Sequence, residues 1–149
     1  MAENSIRVDA GPEAVFAVLD DVGAYPRWVV GARRIRAVDA SWPAVGSKFH
    51  HALGTEVAEL HDSSKVLERD PPRRLVLEVR FRPTGVARVD IQVASHGTGS
   101  TITIVEHPTC GPVARLPRLV VEPLLGLRNA VALRRLRREV ERRATTAAR

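Results

Sequence analysis

Residues 116–143 read LPRLVVEPLLGLRNAVALRRLRREVERR, and this stretch, Leu116 to Arg143, decides the fold. Apolar side chains recur in it at steps of three and four, which is the spacing of one face of an α-helix. At about 1.5 Å per residue such a helix is roughly 40 Å long, longer than simple packing in a small domain requires. The stretch therefore predicts one long C-terminal helix that organises the rest of the chain. Its expected inner face consists of Val121, Leu125, Asn129, Leu133, Leu136 and Val140.

The two halves of this helix differ in composition. The first half, from Leu119 to Leu127, is apolar nearly all round, which predicts burial on more than one side. The second half is amphipathic, with arginines and Glu139 on the faces away from the leucines. Pro123 lacks an N–H, so it either lies in a first helical turn or kinks the helix, and the sequence leaves both open. Asn129 interrupts the apolar face and is expected to point where the leucines point.

Length and composition are those of one globular domain spanning residues 1–149. Apolar residues make up 44% of the chain and charged residues 27%, and no apolar run approaches the roughly 20 residues that span a bilayer. The N-terminus lacks the basic-then-apolar pattern of a signal peptide, and Cys110 is the single cysteine. We therefore expect a cytoplasmic protein without disulfides and without stable membrane insertion.

The net charge of +6 comes almost entirely from arginine, since Lys48 and Lys65 are the only lysines. A basic balance can indicate binding to nucleic acid or to an anionic membrane. Here much of the excess lies on the outer face of the last helix, where a solvated surface is the simpler interpretation. We therefore expect no nucleic-acid partner.

Short elements open the chain. Alternation over Ser5–Asp9 predicts a first strand. Pro12 suits the first turn of a helix, and Glu13 there favours the helix dipole, so a short helix is predicted through Asp20. A second short helix is predicted within residues 21–28.

A meander of about six further strands is predicted between these helices and the last one. The clearest covers Arg74–Arg82, where alternate residues are apolar. The pattern does not fix the register of residues 57–69, although a bulge is expected near residues 62–64. Consecutive hairpins give an antiparallel sheet with one apolar face, which another element must cover. Because only the C-terminal helix is long enough to do so, the sequence predicts an α+β fold.

Five strings occur in order along the chain: VDAGPEAVF at 8–16, YPRWV at 25–29, VGSKF at 45–49, ERDPPRRL at 68–75 and LRN at 127–129. Together they resemble the SRPBCC or START-like superfamily, in its polyketide cyclase/dehydrase branch. The resemblance implies a helix-grip fold, in which a curved antiparallel sheet of about seven strands wraps the last helix and leaves a cavity between them. It also implies hydrophobic ligands such as lipids, polyketides, sterols or quinones. The superfamily includes carriers, receptors and enzymes, so the fold does not define the function.

No motif in the sequence indicates a cofactor or a metal. There is no glycine-rich phosphate loop, no His-Glu-x-x-His and no Gly-x-Ser-x-Gly. His50 and His51 are neighbours in a predicted strand, so they face opposite sides and cannot bind one metal together. His96 and His107 lie near strand ends, where solvent is the expected partner. We therefore expect no metal and no cofactor.

Two titratable side chains are candidates for chemistry. His51, between Phe49 and Leu53, either faces the cavity as a group that titrates near neutral pH or is a satisfied histidine at the rim. Glu106 follows the inward Ile102 and Ile104. Its carboxyl either has a raised pKa and acts as a general acid, or it pairs with one of the many arginines.

Asn129 is the most informative polar residue. A buried asparagine without partners costs about 1–3 kcal/mol, so it either bonds to protein or water or contacts a ligand. We expect it to reach the cavity from the helix, with His51 and Glu106 as partners from the sheet. The predicted ligand-binding residues are Asn129, Leu125, Leu133, His51, Phe49, Leu77, Val79, Phe81, Ile104 and Trp28.

Three function classes remain open at this stage. The first, which we favour, is a non-catalytic carrier or sensor of a hydrophobic small molecule, because the inward positions are mostly aliphatic. The second is an enzyme, a polyketide cyclase, aromatase or dehydratase that uses His51 or Glu106 to move protons. The third is a basic interaction module that uses the arginine face. The sequence specifies neither the ligand nor the oligomeric state.

Overall fold

A computed structural model describes residues 2–54, 59–81 and 85–147, except the side chains of Leu53, Glu59 and Phe81. Seven strands and three α-helices lie in these ranges. The order along the chain is β1 Ala2–Val8, α1 Pro12–Asp20, a 3-10 turn Val22–Ala24, α2 Tyr25–Trp28, β2 Ala32–Val38, β3 Lys48–Gly54, β4 Glu59–Asp70, β5 Arg74–Phe81, β6 Gly85–His96, β7 Gly99–Cys110, a 3-10 turn Val113–Arg115 and α3 Arg118–Ala147.

All seven strands form one antiparallel sheet in the order β1-β7-β6-β5-β4-β3-β2. The first strand therefore pairs with the last, while the others follow each other as a meander. Helix α3 packs against β1, β7, α1 and α2. This arrangement confirms the predicted α+β helix-grip fold, including the two short helices after the first strand. No helix within the described residues has the length and apolarity needed to cross a membrane.

The core lies between the sheet, α1 and the second half of α3. Val15, Val18 and Leu19 of α1 are fully buried there, as are Leu136 and Val140 of α3. Each such side chain stabilises the fold by about 1.5–3 kcal/mol through removal of apolar surface from water.

The first half of α3 differs from the sequence prediction of burial on several sides. Leu119 is 91% exposed, Leu124 65% and Leu127 67%, and only Val121 among the neighbouring residues is buried. An apolar helix is covered all round only when elements pack on opposite sides of it. In the described chain the sheet, α1 and α2 all lie on one side of α3, so the opposite side faces solvent.

Glu139 also differs from the prediction, which placed it on an outer face. It is only 7% exposed and lies between three arginines, with Oε1 at 2.9 Å from Arg27, 2.6 Å from Arg142 and 3.0 Å from Arg143. Hydrogen bonds from Arg142, Arg143 and Arg27 lower its pKa to about 2, against the effect of burial. Glu139 therefore joins α2 to the last turns of α3 as a carboxylate.

Two local features left open by the sequence are resolved. Pro123 lies inside α3, so no N–H at that position bonds to the carbonyl of Leu119 one turn earlier. The predicted bulge near residues 62–64 is wrong, because these residues pair regularly with β3. The register shift instead falls at Leu67, between the pairs of Val66 and Glu68 with β5.

Candidate functional site

A cavity of about 70 Å³, called here the inner cavity, lies between the sheet and α3. Six strands, β2 to β7, contribute to its lining. Strands β3, β5, β6 and β7 each direct two alternate residues into it, since residues i and i+2 of a strand share a face. Helix α3 contributes the opposite wall, and α2 with the segment after it closes one side. The lining consists of Tyr25, Trp28, Val29, Val30, Ala32, Phe49, His51, Ser64, Leu77, Val79, Val89, Ile91, Ile104, Glu106, Arg128, Asn129 and Ala132.

An aromatic cluster forms the wall at α2. The ring of Tyr25 lies 4.6 Å from Phe49 and 5.0 Å from Trp28, measured between ring centres. Trp42 packs on Phe49 at 5.0 Å but is not part of the lining, and its indole N–H donates to the carbonyl of Asp20 at 2.8 Å. Trp28 is therefore a wall of the cavity, whereas Trp42 supports that wall from behind.

His51 is buried in β3 and lines the inner cavity. Its Nε2 lies 3.2 Å from the hydroxyl oxygen of Ser64 on the neighbouring strand β4. Burial lowers the pKa of His51 below its ordinary value, although the Asp62 carboxylate opposes this shift. The imidazole is therefore neutral at pH 7 and can donate or accept one further hydrogen bond through Nδ1.

Glu106 is buried at the other side of the cavity, at the end of the inward face of β7. Its Oε1 lies 3.5 Å from Nη1 of Arg128, and Nη2 of the same arginine donates to the carbonyl of Val30 at 3.4 Å. Burial raises the pKa of Glu106, and the opposing effects of the Arg128 guanidinium and the Asn129 amide are smaller. The ion pair is too long to offset the loss of hydration completely.

Glu106, Arg128 and Val30 also line a second cavity of about 280 Å³, called here the outer cavity. It extends from these three residues towards Gly31, which is exposed, and Leu125, which is half-buried. The Arg128 side chain and its two partners therefore form a partition between the inner and the outer cavity. The other lining residues are Gly85, Val86, Ala87, Pro108 and Val113.

Four polar atoms on the lining side chains are buried without a hydrogen-bond partner: Tyr25 Oη, Trp28 Nε1, His51 Nδ1 and Asn129 Nδ2. The Asn129 amide is close enough to Glu106 to affect its pKa, but Nδ2 makes no aligned hydrogen bond. Each such atom costs about 1–3 kcal/mol unless water or a ligand satisfies it. Within the described residues, no three acidic, histidine or cysteine side chains are grouped closely enough to hold a metal ion.

The structure brings most of the sequence-predicted residues together. Eight of them line the inner cavity and Leu125 lines the outer one. Leu133 does not line either cavity, because it lies one turn beyond Asn129, where α3 packs directly into the core. The side chain of Phe81 lies outside the described part of the chain. The eight inner residues are Trp28, Phe49, His51, Leu77, Val79, Ile104, Glu106 and Asn129.

Sequence reasoning did not assign a role to Arg128, Ser64 or Ala132. Arg128 is next to Asn129, about 100° around the helix, and its long side chain reaches back to the cavity. The expectation that Glu106 pairs with an arginine was the available signal for it. Ser64 could be found only from the pairing of β3 with β4, which places it opposite Phe49.

Comparisons with known proteins agree with this fold. The family described as polyketide cyclase / dehydrase and lipid transport matches residues 2–141 of the chain. No protein in a search of the curated proteins matches it.

Solved structures share the fold at low sequence identity. Protein CV1439 from Chromobacterium violaceum is 20% identical with a TM-score of 0.72, and the match covers 93% of this chain and 96% of that one. Ara h 8.0201 is 15% identical with a TM-score of 0.70, over 93% and 95% of the two chains. The di-domain ARO/CYC StfQ from the steffimycin biosynthetic pathway is 15% identical with a TM-score of 0.73, over 96% of this chain and 51% of that one.

Proposed function

The chain belongs to the polyketide cyclase / dehydrase and lipid transport family, and on this premise we propose that it binds a hydrophobic small molecule between the sheet and α3, as a carrier or sensor. The observation that carries the proposal is the composition of the inner cavity. Aliphatic and aromatic side chains make up most of its lining, and a few buried polar atoms without partners lie among them. Ligand sites in proteins commonly have this composition.

The polar groups support an amphipathic ligand that carries oxygen atoms. Nε1 of Trp28 and Nδ2 of Asn129 can only donate hydrogen bonds, so the matching ligand atoms are acceptors. Neutral oxygens suit this position better than a carboxylate, because the Glu106 carboxyl lies on the same lining. The hydrocarbon part of the ligand then contacts Leu77 and Val79 on the sheet.

The size of the cavities adds a condition on binding. The inner cavity, at about 70 Å³, has room for little more than two water molecules. Together with the outer cavity of about 280 Å³ it reaches the lower end of the 300–1,000 Å³ range typical of ligand pockets. A ligand larger than a few atoms therefore displaces the Arg128 side chain from the partition.

A second candidate function is a cyclase or dehydratase in the same cavity. It is favoured by Glu106, because burial raises the pKa of this carboxyl, as the role of a general acid requires. The similarity to a di-domain ARO/CYC protein of a biosynthetic pathway is compatible with it. A carrier or sensor releases its ligand unchanged, whereas a cyclase or dehydratase releases a different molecule.

Tryptophan fluorescence tests binding at this site, because Trp28 and Trp42 are the two tryptophans of the chain and only Trp28 lines the cavity. In Trp42→Phe the remaining emission reports on the inner cavity, and in the matched Trp28→Phe it reports on the wall behind. We expect menadione or a sterol, whose oxygens are neutral, to change the emission of Trp42→Phe at micromolar concentration and to leave that of Trp28→Phe nearly unchanged. Equal responses in both variants would contradict binding in the cavity.

Mass spectrometry of the ligand after incubation separates the two candidate functions. A molecule recovered with unchanged mass and unchanged chromatographic retention supports a carrier or sensor. A product of altered retention (cyclisation) or of mass lower by one water (dehydration), which Glu106→Gln abolishes while binding persists in that variant, would establish an enzyme instead.

A further inference from the structure

The exposed side of α3, together with the segment just before it, carries an unusual group of large aliphatic side chains. Single exposed hydrophobic residues are common, but contiguous apolar patches usually mark a binding surface. We call the group the outer leucine patch; it consists of Leu116, Leu119, Val120, Leu124 and Leu127, which are 51%, 91%, 52%, 65% and 67% exposed.

The patch continues into a row of cations along the same side of the helix. Residues spaced three and four apart lie above one another, so positions 120, 124, 127, 131, 134 and 138 form one outward row of roughly 27 Å. The row is apolar as far as Val131, and then Arg134 and Arg138 follow, both exposed. It contains no acidic residue. The carboxylates in the second half of α3 form ion pairs with arginines outside this row. Glu139 pairs with Arg142 and Arg143, and Glu141 pairs with Arg137.

We propose that this outward row is a docking surface for an anionic lipid bilayer. The leucines enter the boundary between head groups and acyl chains, and the arginines contact lipid phosphates, as in other helices that lie on membranes. A second copy of the chain is a poorer match, because each copy carries a net charge of +6 and brings the same cationic row. An anionic bilayer offers an apolar layer to the leucines and negatively charged head groups to the arginines.

The position of the patch relates it to the cavities. Leu125, next to Leu124 in the helix, lines the outer cavity, and so does Val113 just before Leu116. A bilayer that covers the patch therefore lies beside the outer cavity. A hydrophobic ligand can then pass between membrane and protein with little exposure to water. This docking is peripheral and reversible, and it is independent of whether the cavity carries or converts its ligand.

Flotation with lipid vesicles tests the proposal on the full chain. We expect binding to vesicles of phosphatidylcholine mixed with phosphatidylglycerol, weaker binding to phosphatidylcholine alone, and weaker binding at high salt, because salt screens exposed charges. Leu124→Gln with Leu127→Gln should reduce binding about 100-fold, since each inserted leucine contributes roughly a factor of ten. Arg134→Gln with Arg138→Gln should remove the preference for anionic vesicles.

Val45→Gln is the matched control, because Val45 is 63% exposed but lies in the loop between β2 and β3. It should bind vesicles as the unsubstituted protein does. The substituted side chains are all exposed, so circular dichroism and the Trp28 ligand response should stay unchanged in every variant. No binding to anionic vesicles, or equal binding by the leucine variant, would overturn the proposal. A dimer that the leucine variant dissociates, without vesicle binding, would assign the patch to a second copy instead.

Discussion

Replacing Asn129 with leucine separates the effect of this buried polar side chain on the stability of the fold from its effect on ligand affinity. The residue is 4% exposed and lines the inner cavity, and its Nδ2 has no hydrogen-bond partner. Leucine has the same heavy-atom branching and no polar atom, so Asn129→Leu removes an unsatisfied group from the free protein. We therefore expect the free energy of unfolding to stay equal or to rise by up to about 1–3 kcal/mol.

Ligand affinity should change in the opposite direction. A ligand oxygen that accepts from Nδ2 loses its donor in Asn129→Leu, and this costs about 1–3 kcal/mol, or roughly 5- to 150-fold in Kd. The amide also lowers the pKa of Glu106, so the variant raises that pKa further. The expected signature is thus a protein at least as stable as the original that binds an oxygenated ligand more weakly.

Calorimetric titration and thermal unfolding measure the two quantities on the same samples. Titration uses whichever oxygenated ligand changes Trp28 emission. Val131→Leu is a suitable control, since Val131 is half-buried on the same helix and lines neither cavity. Unchanged affinity together with a loss of more than about 2 kcal/mol in stability would show that Asn129 is a structural residue, and would refute the reasoning.

Three further predictions concern named side chains. Glu139→Gln should destabilise by about 1–3 kcal/mol at neutral pH; because its folded pKa is depressed to about 2, the difference from the original protein should vanish as pH falls from about 4.5 towards 2 in urea unfolding. Arg128→Met should speed ligand association in stopped-flow fluorescence, since the partition loses its hydrogen bonds, and equal rates would contradict this. Leu133→Ala should lower unfolding free energy by about 2–5 kcal/mol; a smaller loss would place it outside the core.

The strands and their order along the chain could be predicted from the local alternation of apolar and polar residues. Alternation in β5 places Leu75 and Leu77 on the inner face, and both are buried. The long helix is confirmed for the same reason, because its inner face repeats at helical spacing over many turns. The pattern does not predict which inward residues pack in the core and which line a cavity, because this depends on the distance between the sheet and α3. Leu75 and Leu133 are packed in the core, whereas Leu77 and Asn129 line the inner cavity.

The partition and the exposed patch depend on geometry between distant segments. Arg128 meets Glu106 and Val30 only because β7, α3 and the segment after α2 converge there. Likewise, the sequence of the first half of α3 shows that most of its faces are apolar. It does not show that, in the described chain, other elements pack on only one side of the helix. Similarly, the bulge at Leu67 depends on pairing with β5 rather than on composition.

Native mass spectrometry of the protein purified from its own host tests the central claim most directly, when compared with the cavity-filling variant Ala132→Phe. Ala132 is buried and lines the inner cavity, so a phenylalanine there occupies the space at a cost of about 1–3 kcal/mol in stability. We expect the original protein to carry a bound hydrophobic molecule, and the variant, folded by circular dichroism, to carry none. An original protein free of any bound mass, or a variant that carries the same mass, would contradict ligand binding in this cavity.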